Sequence, residues 1–203
     1  MKLVYANASP FVRKVMVALI ETGQRDKVEL EDVFITPLKS GETAPSANPL
    51  GKIPSLMLDD GSSLFDSRVI CRYIDAQHTG PKLYPEGATL WPRLALEALA
   101  DGIMDAAVLM VYEHRLRPEE LWSSDWVEAQ WLKISRALAD LNSHTERLEP
   151  TDMASMAVGV ALGYLDFRHA DRNWRALAPE LANWEASFAE RPAMVATSPI
   201  YRS

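Results

Sequence analysis

Residues 2–20 run Lys2-Leu3-Val4-Tyr5-Ala6-Asn7-Ala8-Ser9-Pro10-Phe11-Val12-Arg13-Lys14-Val15-Met16-Val17-Ala18-Leu19-Ile20. A change of pattern inside this stretch decides the fold of the N-terminal part. Lys2 to Ala6 has the composition of a short buried strand. Pro10 then opens a helical pattern, because proline is tolerated in a first turn whose N–H groups lack helical partners. Val12, Val15, Met16, Leu19 and Ile20 recur at spacings of three and one, one face of a helix that runs to about Gly23.

Working outward, Val28 to Ile35 is rich in β-branched residues and reads as a second strand. A helix joins it to the first strand, so the two should be parallel. Thr36 to Asn48 carries Pro, Gly and Ser and reads as a loop. Ile53 to Leu58 is a third strand, Asp59-Asp60-Gly61 a turn, and Ser63-Leu64-Phe65 a fourth strand that closes a hairpin. Ser67 to Gln77 is helical, with Val69, Ile70, Tyr73 and Ile74 predicted on its buried face. The order β-α-β-β-β-α predicts a mixed four-stranded sheet within a domain spanning 1–78.

The pattern then changes. A linker over 79–87 contains Gly80, Pro81 and Pro85, and from Ala88 no strand pattern remains. Helices are expected over Ala88 to Arg115, Ser124 to Leu148, Asp152 to His169 and Pro179 to Glu190. The third is apolar nearly all round, as a central buried helix should be. The fold class is therefore α/β plus all-α, with a helical domain over 88–203.

The chain has 203 residues, 48 % of them hydrophobic and 24 % charged, and a formal charge of −7. Those are ordinary globular values, which excludes disordered and fibrous classes. The acidic balance argues against nucleic acid and anionic membranes as partners. Cys71 is the one cysteine, so no internal disulfide framework exists and a reducing compartment is expected. Asn7, Ser9 and Pro10 interrupt the early apolar run before it reaches signal-peptide length. A cytoplasmic location is the expectation.

Three short constellations carry chemistry. Ser9 stands between a strand end and a helix start, where free N–H groups and partial positive charge gather. It can be simply the helix N-cap, or its hydroxyl can donate to a thiolate and favour the ionised form. Asn48-Pro49-Leu50-Gly51-Lys52-Ile53-Pro54 brackets the start of a strand with prolines. An edge there leaves the Ile53 backbone open to an extended, peptide-like ligand, and a cis bond before Pro54 suits such a turn. Asp66-Ser67 opens a helix. The pair can be caps, or can hold the ammonium and carboxylate of an amino-acid-like ligand.

Taken together and in this order, the motifs and the all-helical second half resemble the glutathione S-transferase family. The resemblance runs the full length and is sharpest over Lys2 to Ile74. It implies a thioredoxin-like N-terminal domain that binds glutathione as cosubstrate, with no metal, and a helical domain lining the second-substrate pocket. Ser9 matches the activating serine of the serine-type branches. Ile53 matches the residue whose backbone pairs with the cysteinyl part of glutathione, and Pro54 the family's cis-proline. Asp66 and Ser67 match the pair that holds the γ-glutamyl end. Lys39 and Lys52 lie where groups for the glycyl carboxylate are often placed. A homodimer is implied, as is attack of the glutathione thiolate on an electrophilic small molecule in the manner of detoxification enzymes. A non-catalytic glutathione-binding protein, or another glutathione-dependent reaction such as peroxide reduction, dehalogenation or thiolysis, shares the same glutathione half.

Other residues carry further candidates. Position 9 is Ser and position 12 is Val, so dithiol chemistry of thioredoxin type is excluded there. Tyr5 and Asn7 are alternative donors near Ser9. The histidines His78, His114, His144 and His169 show no ligand spacing and read as surface or capping residues. Glu97, Asp101 and Asp105 fall at i, i+4, i+8, the usual sign of a solvated face. The resemblance also admits a role for Asp101 toward a neighbouring subunit's glutathione. Met104, Val108 and Met110 suit either an apolar pocket or the core. Asp152 and Ser155 suit a reciprocal helix cap.

Overall fold

The computed structural model describes residues 1–199. It divides into two compact units, Met1–Pro85 together with the residues from Ala196, and Glu86–Val195.

The first unit is built on strands β1 (Lys2–Tyr5), β2 (Glu29–Asp32), β3 (Ser55–Met57) and β4 (Ser63–Leu64), in sheet order β2-β1-β3-β4. β2 is parallel to β1, while β3 and β4 run antiparallel to their neighbours. Helix α1 (Pro10–Glu21) follows β1 and packs with α3 (Ser67–Ala76). This is the thioredoxin-like arrangement that the sequence predicts.

Side chains alternate across a strand, so Leu3 and Val4 serve opposite faces, and both are fully buried. On the Val4 side, Ala44 and Ala47 close the core together with Val33, Ile35, Ile53 and Met57. Those alanines belong to a short helix α2 (Thr43–Ala47), which corrects the expectation of a plain loop over Thr36 to Asn48. The breaker residues that argued for a loop flank or start the helix rather than dissolve it. β2 is shorter than predicted and only half-buried, as befits a sheet edge.

On α3 the buried residues are Ser67, Ile70, Cys71, Ile74 and Asp75, spaced as one helical face. Val69, placed on that face by the sequence, is 45 % exposed. The stripe is centred one residue further round, where the small thiol of Cys71 fills it. Beyond α3, the buried Asp75 carboxylate accepts from the Leu83 N–H at 2.7 Å and the Tyr84 N–H at 3.3 Å. Its other close partner is His78 Nε2 at 3.0 Å. The Pro/Gly-bearing segment is thereby fastened to the first unit.

The second unit contains α4 (Leu90–Leu116), α5 (Ser124–Ser143), α6 (Met153–Arg168), α7 (Trp174–Leu177), α8 (Pro179–Phe188) and α9 (Pro192–Ala196). The short α7 and α9 went unpredicted. α4 packs against both α5 and α6. α6 is buried along almost its whole length, as its all-round apolar pattern predicts. It starts with a reciprocal cap. Asp152 Oδ1 accepts from the N–H groups of Ala154 and Ser155 at 3.0 and 3.1 Å, and Ser155 Oγ accepts from the Asp152 N–H at 3.0 Å. The Arg93 guanidinium grips the same Asp152 carboxylate and so ties α4 to the start of α6.

Met104 and Met110 are core residues, 0 % and 2 % exposed. Glu97 and Asp101 are also buried, at 2 % and 1 %, which overturns the reading of a solvated carboxylate face, while Asp105 is exposed. His169 is buried at the C-cap of α6 and sits 2.9 Å from the Ala107 carbonyl through Nε2. Among the described residues no helix is long and apolar enough to cross a membrane.

Candidate functional site

The sheet register brings the predicted residues to one end of the first unit. β1 runs toward that end and is continued by Asn7, Ala8 and Ser9. β3 starts there, since Val4 near the end of β1 pairs with Ser55. β4 finishes there, since Leu64 pairs with Leu56 and the chain then passes through Phe65 to Asp66 and Ser67. The parallel β2 also ends at this edge, and the loop that follows it carries Lys39 and Lys52. Consequently the N-termini of α1 and α3 lie at the same end of the sheet. Two helix N-termini put free N–H groups and positive potential where an anionic ligand can use them.

Ser9 is the N-cap of α1, in extended conformation (φ −84°, ψ 122°), and its Oγ accepts the Val12 N–H at 3.3 Å. Its own N–H donates to the Ala6 carbonyl at 3.0 Å, which closes the turn between strand and helix. Both sequence readings of Ser9 are therefore compatible. A hydroxyl that accepts from the backbone retains its proton for donation elsewhere. Tyr5 and Asn7 are joined to each other, with Tyr5 OH donating to Asn7 Oδ1 at 3.1 Å.

The segment before β3 is held in shape by Asn48, which is buried. Its Nδ2 donates to the Lys52 carbonyl at 3.0 Å, and its Oδ1 accepts from the Leu50 N–H at 3.0 Å. Gly51 stands at φ +61°, and a Cβ there would fall 2.8 Å from Ser40 Cβ, so only glycine fits this bend. The Ile53–Pro54 peptide is cis and Pro54 is buried. Among the described residues no backbone hydrogen bond is made by the N–H or C=O of Ile53. The Ile53 backbone is thus open, but it precedes a strand that lies between β1 and β4 rather than at a sheet edge, which corrects the expectation of an edge there.

Asp66 is the N-cap of α3. Its Oδ1 accepts from the Arg68 N–H at 3.0 Å, and the residue remains exposed, while Ser67 is 2 % exposed. The peptide between Phe65 and Asp66 is also cis. Nothing in the residue types signals this, and the sequence reading missed it. Lys52 is exposed. Lys39, also exposed, closes a tight turn with Thr36 through N–H···O contacts of 2.9 Å in both directions.

A sequence model described as glutathione S-transferase, N-terminal domain, matches residues 3–82. Among curated proteins, an uncharacterized GST-like protein, YibF of Escherichia coli (strain K12), is 34 % identical over 204 residues and covers 98 % of each chain. The chain belongs to the glutathione transferase family. Among solved structures, a glutathione transferase family member from Pseudomonas fluorescens Pf-5 with bound glutathione superposes with a TM-score of 0.96. It is 48 % identical, covering 98 % of this chain and 99 % of that one. A second structure described in the same terms holds S-(propanoic acid)-glutathione, with a TM-score of 0.92, 48 % identity and coverage of 99 % and 100 %. The fold, the family and the glutathione-bound state of these relatives thus agree with the motif order read from Lys2 to Ile74.

Proposed function

We propose that this glutathione transferase family member binds glutathione at the sheet end defined by Ser9, Ile53 and Asp66, and conjugates its thiolate to an electrophilic small molecule. The observation that carries the reading is the state of Ser9. Its Oγ lies at the N-terminus of α1 as an acceptor from Val12, with its proton unspent. A thiolate beside it would gain that O–H donor and the helix field, and both favour ionisation over the neutral thiol. Since only the anion is an effective nucleophile, lowering the thiol pKa raises the reactive fraction near neutral pH.

The remaining roles are those that the family resemblance implies. The free backbone of Ile53, set by the cis bond to Pro54, would pair with the cysteinyl portion of glutathione in strand fashion. The Asp66 carboxylate would take the γ-glutamyl ammonium, and the Ser67 N–H at the α3 start the neighbouring carboxylate. Lys52 and Lys39 would serve the glycyl carboxylate. The helical unit would supply contacts to the second substrate. A homodimer in the cytoplasm is part of the proposal.

The relatives support thioether chemistry in one respect. A glutathione bearing a carbon substituent on sulfur occupies the second Pseudomonas fluorescens Pf-5 structure. The test is to measure the conjugation rate with a panel of electrophiles beside glutathione affinity, in wild type and Ser9→Ala. Retained affinity with a rate at least tenfold lower supports thiolate activation by Ser9. Equal rates in the two proteins overturn it, and glutathione binding with no turnover by either moves the weight to a binding protein.

A further inference from the structure

The Lys52–Ile53 peptide is held by two side chains at once. The Lys52 carbonyl accepts from Asn48 Nδ2 at 3.0 Å and from Ser55 Oγ at 3.1 Å. A carbonyl oxygen has two lone pairs, and here side chains occupy both. Both donor residues are buried, Asn48 at 3 % exposure and Ser55 at 0 %. They come from different elements of the first unit. Asn48 is the C-cap of α2, where its N–H donates to the Ala44 carbonyl at 2.8 Å. Ser55 is the first residue of β3 and pairs with the fully buried Val4 of β1.

The same peptide unit carries the Ile53 N–H. A peptide is planar, and in its trans form the C=O and N–H point in opposite directions, so fixing one fixes the other. The carbonyl is turned toward Asn48 and Ser55, and the N–H is therefore turned away from them. Among the described residues that N–H has no acceptor. Two donors on the carbonyl also polarise the amide and make its N–H a better donor. One hydrogen bond would satisfy the carbonyl. The second takes away the remaining freedom of the peptide to rotate, which is how a supporting shell preorganises a binding group.

We propose that Asn48 and Ser55 are positioning residues. Through the Lys52 carbonyl they aim the Ile53 N–H at the cysteinyl carbonyl of glutathione, and so favour thiols that carry this carbonyl over thiols that lack it. The inference rests on glutathione binding at this end of the sheet, as proposed above, and names the residues behind one of its contacts. Neither side chain acts on the sulfur, which is left to Ser9.

The experiment is calorimetric binding of two thiols that differ in one group. They are γ-glutamylcysteinamide and γ-glutamylcysteamine, in which hydrogen replaces the carboxamide. Wild type should bind the first about tenfold more tightly, the usual worth of a well-placed hydrogen bond. Ser55→Ala leaves the Lys52 carbonyl one donor and should cut that preference to about threefold. Asn48→Ala also releases the Leu50 N–H and should cut it further. Ser55→Thr, which keeps the hydroxyl, should retain more of the preference than Ser55→Ala. In Ser55→Ala the thiol of bound glutathione should ionise at the wild-type midpoint, because Ser9 is untouched. A merely structural role would weaken both thiols equally and leave the preference intact. If Asn48→Ala does not fold, Ser55→Ala decides the matter. No preference in wild type, or a full preference in Ser55→Ala, overturns the positioning role while glutathione binding stands. Failure of folded wild type to bind glutathione itself overturns both.

Discussion

The Ser9 hydroxyl oxygen accepts the backbone N–H of Val12 at 3.3 Å, so one side chain both starts α1 and keeps a proton to give. Capping uses an oxygen lone pair, whereas thiolate stabilisation uses the O–H. The two roles can therefore be separated by substitution. Ser9→Ala loses both and should cost about 1 kcal/mol of stability along with thiolate activation. Ser9→Asp keeps a good cap but sets a negative charge where the thiolate forms. Its melting temperature should stay near that of wild type, while the conjugation rate falls at least as far as in Ser9→Ala. A Ser9→Asp protein that keeps wild-type turnover would confine Ser9 to the cap.

Asp66 offers the same separation at the start of α3. The Oδ1 contact with the Arg68 N–H, 3.0 Å, needs an oxygen but not a charge. Asp66→Asn should therefore fold as well as wild type and bind glutathione about tenfold more weakly, because the ammonium loses its anionic partner. Titration calorimetry beside thermal melts checks both halves of this expectation.

In the helical unit, stability concentrates at Asp152. Its carboxylate holds two N–H groups of α6 and the guanidinium of Arg93, with both side chains about a tenth exposed. Asp152→Ala removes the cap and leaves a largely buried cation without its partner. The expected loss is about 3 kcal/mol in denaturant unfolding. Arg93→Met/Asp152→Asn, which removes the cation as well, should cost less than Asp152→Ala.

Acid sensitivity should centre on His169. Burial lowers its pKa below the ordinary value of 6.5, against the opposing pull of the Ala107 carbonyl. Between the folded and unfolded values the unfolded chain binds more protons, so this group's contribution to stability falls as pH drops through about 6.5. Unfolding free energy measured from pH 7 to pH 5 should decline, and His169→Gln should flatten part of that decline. An unchanged slope in the variant would place the acid sensitivity elsewhere.

The strand–turn–helix reading of Lys2 to Ile20 and the central helix from Asp152 to His169 were legible, because each is a long, consistent apolar pattern with a recognisable start. α2, α7 and α9 were not, since four or five residues give no period to detect. Val69 illustrates a different limit. Adjacent residues on a short helix differ by only part of a turn, and packing chooses the stripe through Ile70 and Cys71. Glu97 and Asp101 show that a carboxylate row can face inward, because tertiary neighbours rather than spacing decide burial. At the candidate site, the residue types of Ser9, Ile53, Pro54, Asp66 and Ser67 were readable as a motif. The Asn48 bracing of the bend at Gly51 and the cis peptide before Asp66 depend on three-dimensional closure.

The most direct test of the central claim is a pH titration of the thiolate absorbance of protein-bound glutathione, in wild type and in Ser9→Ala. The account predicts that the bound thiol ionises at lower pH than free glutathione, and that its midpoint moves back toward the free value when the Ser9 hydroxyl is removed. A bound thiol that ionises as it does in free solution, with the same midpoint in both proteins, would contradict it.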